Sequence, residues 1–453
     1  MKREIKFILC IMMSVFFIAS NNIFCAYGAY KLPFELSCKG CYLYNVDTQT
    51  VVYEKNKDLK LEPASLVKIM TAVVVLDKIK DIDSITATAK GYIFDELYGQ
   101  NGTVAGIVKG EILTIRQLLQ CMLSQSACEA AMILADAVSP DNIDGFVEMM
   151  NSKAKALGAR NTHFVNPHGL HAEGQYTTAY DMFLITQYAM GLPAFMDIVS
   201  ATSHLIPATN KREAFSVFST IDPMKKSSKY YYPPIKGIKT GTEESGRSFV
   251  SSASKDGFTY ICCVLSSPYK YEKTNKIISG NKSFEDSVKI YQWAFENLKI
   301  KTIVSEDTPI TEVKLKYVFN KDHLKVASEK NVSALVLKQT DVSKIKTIYN
   351  LPDEIMAPVK KGEILGTAKL EFNGSIISKF NLVAYETVER NWFLYSLDFV
   401  KKLLDFVVIK IITIVVLAFL LIVALISIAN KRSSKKRLTK NRKIRKKSRK
   451  RKY

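Results

Sequence analysis

From Leu66 to Leu76 the chain reads LVKIMTAVVVL, apolar at every position except Lys68 and Thr71. A run without a polar face is buried on all sides, as a helix or as a strand. Preceded by Pro63-Ala64-Ser65, it predicts a helix opening near Ser65. Upstream, CYLYNVDTQTVVYEKN alternates around a polar turn at Asp47 to Gln49 and predicts a hairpin. Helical patterns follow from Thr114 towards Leu123 and from Glu129 to Val138, with SQSAC between them. A polar loop, NPHGLHAEGQYTT, leads to a helix over Ala179 to Met190. The β-like run IKGIKTGT comes next, then SFVSSASKDGFTYICCVLSS, two strands joined at Lys255-Asp-Gly257. A helix from about Phe284 to Asn297 closes a first domain spanning residues 30–298. Strands first and last with helices between predict an α/β fold, a mixed sheet flanked by helices.

Beyond residue 302 the texture changes to short β-rich runs at close spacing, among them VKLKYVF, VSALVLKQ, GTAKLEF and SKFNLVAYETV. These predict a small all-β domain over residues 302–392. Residues 411–430, IITIVVLAFLLIVALISIAN, carry no charge and match the length of a bilayer core, so a transmembrane helix is expected over 406–430. Trp392, Phe393 and Tyr395 lie where an interfacial aromatic belt would sit. At the other end, a charged n-region, an apolar core over Phe7 to Ala19 and small residues at Ala26, Gly28 and Ala29 read as a secretory signal peptide, residues 1–28.

Charge sharpens this topology. The formal net charge is +21, but fifteen Lys and Arg lie in the last 23 residues, which hold no acid. The basic character therefore belongs to a tail, residues 431–453, and not to the fold. By the positive-inside rule that tail is cytoplasmic, held against anionic lipid, with the body exported and membrane-anchored. Nucleic-acid binding is not expected. Cys10 and Cys25 lie in the signal region; the other six are Cys38, Cys41, Cys121, Cys128, Cys262 and Cys263. Cys38 and Cys41 have CxxC spacing, which admits a bridge. No second pair or His cluster completes a metal site, so packing as small core residues is the expectation.

The chemistry gathers around Lys68. Burying an ammonium is costly unless it is paired or gives up its proton. Ser65 lies three residues earlier, on the same helical face. A serine is a weak nucleophile until a base takes its proton, and a lysine becomes such a base only when burial lowers its pKa. The bland alternative is a Lys68 side chain that reaches out to water beside a Ser65 that only caps the helix. Two further stretches tip the balance. In Lys239-Thr240-Gly241-Thr242, a bare Gly241 lets substrate lie against the strand, and Lys239 and Thr240 suit a carboxylate. The N–H groups of Thr242 and Ser65 could form an oxyanion hole. Ser126-Ala127-Cys128 sits in a turn from which the Ser126 hydroxyl could relay a proton.

These stretches, in this order, resemble the SxxK, SxN and KTG motifs of the penicillin-recognising serine enzymes. The flanks YEKNKDLKLEPASLVKIMTA, KGEILTIRQLLQCMLSQSACEAA, THFVNPHGLHAEGQYTTAYDM and GIKTGTEESGRSFVSSA resemble one branch, the low-molecular-mass D-alanyl-D-alanine carboxypeptidases. The resemblance runs over roughly residues 35 to 390 and implies a β-lactamase/transpeptidase-like fold with a C-terminal β domain. It implies Ser65 as nucleophile, Lys68 as base and Ser126 as proton relay, with Lys239 and Thr240 holding the substrate's terminal carboxylate. The implied reaction removes the last D-Ala from a peptidoglycan pentapeptide without a cofactor, and β-lactams would trap Ser65. Two positions depart from the pattern. Cys128 stands where the middle motif has Asn, and Ser283, beside Lys282, stands where relatives carry an Arg near the start of the last helix. A weakly active penicillin-binding scaffold is therefore the alternative. His168 and His171, in the polar loop, are expected to be structural.

Overall fold

The computed structural model describes residues 26–27, 30–271, 274, 276–306, 308–372 and 375–449. Residues 1–28, expected to be a signal peptide, thus lie outside the described residues except for Ala26 and Tyr27. The chain divides into two compact units. The first contains Met1–Ser305, Asn331–Tyr349 and Ala368–Phe380; the second contains Glu306–Lys330, Asn350–Thr367 and Asn381–Tyr453.

The first unit is built on a six-stranded mixed sheet. Its strands are β1 (Ala26–Tyr27), β2 (Gly40–Asn45), β3 (Thr50–Lys55), β4 (Ile235–Glu243), β5 (Gly246–Lys255) and β6 (Phe258–Ser267). They lie in the order β1-β3-β2-β6-β5-β4, antiparallel except for the β1–β3 pair. All six residues of β2 are buried because both faces of the sheet are covered. Side chains alternate along a strand, so Tyr42 and Tyr44 enter one core and Cys41 and Leu43 the other. In the first core, Tyr42 and Tyr44 pack on Tyr180 and Phe183 of the Ala179–Met190 helix. In the second, Phe249 of β5 meets Phe284 edge to face, with ring centroids 5.0 Å apart. The predicted mixed sheet flanked by helices is what the chain forms.

Helix ends follow local chemistry. Helix α1 (Val67–Lys78) buries Val67 through Leu76 without a polar face. It is preceded by a 3₁₀ turn, Ala64–Leu66, so Ser65 sits in that turn and caps nothing with its side chain. The expectation of an α-helix opening at Ser65 is corrected to this extent. Helix α2 (Ile115–Ser124) begins one residue after Thr114, whose hydroxyl accepts from the Gln117 N–H while the Gln117 side chain accepts from the Thr114 N–H. Helix α3 (Cys128–Val138) starts at Cys128, and α4 (Ala179–Met190) is capped by Thr178. Helix α5 (Lys282–Asn297) is capped by Asn281.

Strands Leu298–Val304 and Val332–Leu337 also pair within the first unit, where Leu298 and Leu335 join the core containing Phe249. In the second unit Thr311–Lys316 pairs antiparallel with His323–Ser328 and parallel with Glu354–Met356. Val326–Ser328 pairs with Leu382–Ala384. The second unit ends in the Trp392–Arg449 helix, whose Trp392–Ser434 stretch is long and apolar enough to cross a membrane. The six cysteines named above as packing residues are free thiols and buried, so Cys38 and Cys41 form no bridge.

Candidate active site

Lys68 is wholly buried, which removes the reading in which it reaches out to water. One helical turn brings its nitrogen to 3.1 Å from the Ser65 Oγ. The nitrogen also approaches the Cys128 Sγ at 3.5 Å and donates to the His168 carbonyl oxygen. Burial is the largest influence on this lysine and lowers its pKa, against the smaller opposing effects of Cys128, Glu129 and Glu243. A neutral amine has two N–H donors and one lone pair. The His168 carbonyl and the Cys128 sulfur can take the donors, leaving the lone pair for the Ser65 hydroxyl proton. That arrangement can turn a serine into a nucleophile without a histidine.

Backbone conformation places the partners. Ala64, just before Ser65, has φ of 51°, and Ser126 has φ of 69°. Left-handed conformations at non-glycine residues are costly and persist only where surroundings impose them. Here the surrounding loops do so. Gly169 has φ of 78°, and a Cβ there would lie 2.1 Å from the Ala64 carbonyl oxygen, so only glycine lets the NPHG loop press against the turn that carries Ser65. The same loop's Pro167 carbonyl accepts from the Thr71 hydroxyl at 2.6 Å. On the other side, the Cys128 N–H donates to the Thr103 carbonyl at 2.8 Å. The buried Glu129 carboxylate gathers the N–H groups of Ala105, Gly106 and Ile107. Burial raises its pKa.

The KTG segment lies on β4, the edge strand, facing this turn. A Cβ on Gly241 would meet the Ala64 Cβ at 3.0 Å and the Pro63 carbonyl oxygen at 3.1 Å. A side chain there would crowd both, so the bare glycine lets the strand and the Ser65 turn pack closely, a reason beyond substrate access. Lys239 is fully buried and donates to the Thr240 carbonyl oxygen at 3.1 Å. Burial, then repulsion from Lys68, drives its pKa well below the usual lysine value. The Thr240 and Thr220 hydroxyls share a hydrogen bond of 2.7 Å.

Ser65, Ser126, Thr240, Gly241 and Thr242 line one cleft of about 690 Å³. Lys68, Cys128 and Lys239 are buried and do not line it: Lys68 meets the cleft through its bond to Ser65, Cys128 through Lys68, and Lys239 by donating to the Thr240 carbonyl. The cleft also holds Thr103, Thr220, Asp222, Lys229, Tyr230 and Arg247, none of which the sequence reading singled out. Arg247 had a signal only through register: the tight β4–β5 hairpin pairs it with Thr242. Thr220 and Tyr230 had none.

Ser283 and Lys282 do not enter the cleft. Ser283 is buried and its hydroxyl donates to Asn281 Oδ1 at 2.7 Å, while Lys282 pairs with Glu285 at 2.7 Å. His171 is exposed and pairs with Glu62 at 2.8 Å. The buried His168 ring accepts from the Leu170 N–H at 3.2 Å, and its pKa is pushed down to about 3 by burial and by the Lys68 charge. Among the described residues, no group of three His, Cys, Asp or Glu side chains is placed to hold a metal ion.

Fold and cleft together define a serine enzyme of the SxxK type. Residues 29–268 match the family described as D-alanyl-D-alanine carboxypeptidase, and the chain belongs to that family. Residues 299–390 match the C-terminal domain of penicillin-binding protein 5. The chain is 27% identical to D-alanyl-D-alanine carboxypeptidase DacF of Bacillus subtilis, over 79% of this chain and 87% of that protein. It is 28% identical to DacC of Escherichia coli, over 83% of this chain and 90% of that protein. The fold is shared with penicillin-binding protein 5 of Haemophilus influenzae, with a TM-score of 0.63, 24% identity, and coverage of 80% of this chain and 100% of that one. The protein is a peptidase, a D-alanyl-D-alanine carboxypeptidase.

Proposed function

We propose that this carboxypeptidase works through a Ser65 acyl-enzyme on peptidoglycan stem peptides ending in D-Ala-D-Ala, as an exported protein anchored by its C-terminal helix. The observation that carries the proposal is the wholly buried Lys68 held 3.1 Å from the Ser65 hydroxyl. Lys68 takes the hydroxyl proton as Ser65 Oγ bonds to the carbonyl carbon of the penultimate D-Ala. The N–H groups of Ser65 and Thr242 stabilise the oxyanion. Collapse breaks the D-Ala–D-Ala peptide bond. Ser126 passes the proton from Lys68 to the departing amine. Water then adds to the ester, Lys68 takes its proton, and Ser65 regains one as the shortened peptide leaves as a carboxylate. Lys239 and Thr240 bind at the terminal carboxylate, and β-lactams acylate Ser65 in the same way.

The anchor reading rests on the apolar Trp392–Ser434 stretch and the basic tail after it. The tail stays cytoplasmic and the cleft faces the wall.

Cys128 favours a second reading, a weakly active scaffold, because a thiol replaces a group able to donate and accept strong hydrogen bonds. The test is to incubate the full chain in detergent with a fluorescent penicillin and with a D-Ala-D-Ala pentapeptide, beside Ser65→Ala. Labelling at Ser65 with D-Ala release supports the peptidase. Labelling without release supports the scaffold. Wild-type protein that folds but takes no label refutes the proposed Ser65 chemistry.

A further inference from the structure

The cleft offers a carboxylate one guanidinium, and it comes from a sheet strand. Arg247 lies on β5 directly opposite Thr242 of β4. Cross-strand partners project to the same face, and so do residues two apart on one strand. Thr240, Thr242 and Arg247 therefore share a face, and all three line the cleft. The guanidinium is held in place: one nitrogen donates to the Gly280 carbonyl at 2.5 Å, and the group stacks 4.5 Å from the Tyr269 ring centroid. That is its single hydrogen bond among the described residues, which leaves donors of the planar fork for a ligand. The other charged groups of the cleft are less suited. Asp222 is an anion paired with Lys225, and Lys229 is a point charge without a fork. At the start of α5, Lys282 is tied to Glu285 and lies outside the cleft.

We propose that Arg247 grips the substrate's terminal carboxylate together with the Thr240 hydroxyl, replacing a guanidinium that the last helix does not supply. The inference rests on the reading of this cleft as the carboxypeptidase site. It also makes Arg247 a specificity residue: what it recognises is the free C-terminal acid. Lys239, fully buried on β4 and donating to the Thr240 carbonyl, then need not supply the only positive charge.

The test compares a D-Ala-D-Ala peptide with the same peptide carrying a C-terminal amide, using the full chain in detergent. The variants are Arg247→Met, Arg247→Lys, Lys229→Met, and Arg247→Met with Ser283→Arg. For Arg247→Met the expected result is a kcat/KM on the acid lower by about ten- to a hundredfold, with the amide changed much less. Arg247→Lys should fall in between, and adding Ser283→Arg should restore part of the preference. A residue that merely staples the Gly280 loop would lower both substrates together. Equal losses, or a preference abolished by Lys229→Met and kept by Arg247→Met, overturn the inference. If Arg247→Met does not fold, an Arg247→Lys enzyme with unchanged preference overturns it as well. A wild-type enzyme that releases D-Ala and D-alaninamide equally well would instead refute carboxylate recognition by the cleft itself.

Discussion

The Cys128 sulfur stands 3.5 Å from the Lys68 nitrogen, in the place where the motif resembled by this chain carries an amide. Helix α3 begins at this residue, and its N–H is committed to the Thr103 carbonyl, so the side chain alone faces the lysine. Sulfur is a weak acceptor and a weak donor. The cluster therefore has its shape but lacks one strong polar group.

Replacing that thiol should raise activity. In Cys128→Asn the amide oxygen can accept from Lys68 while the amide N–H₂ reaches towards substrate. Release of D-Ala is expected to rise several-fold, the effect of exchanging a weak hydrogen bond for an ordinary one worth about 1 kcal/mol. The Gly102 side, where a Cβ would stand 3.0 Å from the sulfur, leaves little room for a larger group. The check is kcat/KM on a D-Ala-D-Ala peptide beside the rate of acylation by a penicillin; a drop in both would show that the thiol is preferred for its size.

Lys68 has to be neutral to act as a base, and burial lowers its pKa from 10.5. The acylation rate should rise with pH through that lowered value and level off above it. Lys68→Arg keeps a charge that proteins do not remove, and should cost about 10²- to 10⁴-fold in acylation. The sign for stability follows from the same shift. Between the lowered folded value and 10.5 the unfolded chain holds the proton and the folded chain does not, so this lysine's contribution makes stability rise with pH across that window, by at most about 1.4 kcal/mol per pH unit. Lys68→Met removes this contribution, which is read from the difference in Tm between the two proteins across pH 7 to 10.

Much of this site was legible in the sequence. Ser65, Lys68, Ser126 and the KTG segment announced themselves as polar groups in apolar or strand contexts; Ser65, Ser126, Thr240 and Gly241 line one cleft, and the buried Lys68 bonds to Ser65. Helix α4 was legible to the residue because Thr178 caps it and Gly191 follows its end. The predicted start of α2 at Thr114 was off by one because that threonine's hydroxyl serves as the cap. What escaped was whatever depends on backbone. The His168 carbonyl that binds Lys68 belongs to a residue whose side chain is the conspicuous part, and every residue has a carbonyl. The 3₁₀ turn around Ser65 is set by its fit against Gly169 and Gly241, which lie far along the chain. Arg247 needed the hairpin register, which places it opposite Thr242.

His168 contributes its carbonyl and not its ring, so substitution of the ring should be mild. His168→Gln is expected to retain acylation within about fivefold, because the ring's hydrogen bond from the Leu170 N–H can pass to the glutamine side-chain oxygen, a change worth about 1 kcal/mol or less. No limb near pH 6.5 in the rate profile should come from this residue, since its folded pKa is about 3. Stability behaves differently. Between 6.5 and about 3 the unfolded chain binds the proton and the folded chain excludes it, so His168 makes stability fall as pH drops through that window. His168→Gln should flatten the acid side of a Tm-against-pH curve. A ring-dependent rate limb near neutrality would instead give the imidazole a role in the chemistry.

Gly169→Ala should disable the site without touching any reacting group. The added Cβ would stand 2.1 Å from the Ala64 carbonyl oxygen and 2.7 Å from its carbon, both backbone atoms that no side-chain rotation can clear. The residue also sits at φ of 78°, a conformation that costs alanine about 1 kcal/mol or more. Relief requires the NPHG loop to move off the Ser65 turn, and that movement withdraws the His168 carbonyl from Lys68 and the Pro167 carbonyl from Thr71. Loss of two buried hydrogen bonds adds about 2 kcal/mol or more to the strain. The variant is expected to melt several degrees lower and to acylate with penicillin at least tenfold more slowly. Glu62→Gln, on the exposed His171 pair, disturbs the same loop's far end without crowding the turn and should do neither. Unchanged acylation by Gly169→Ala would mean that the Ser65 turn keeps its geometry without this loop, and that Lys68 is oriented by Ser65 and Cys128 alone.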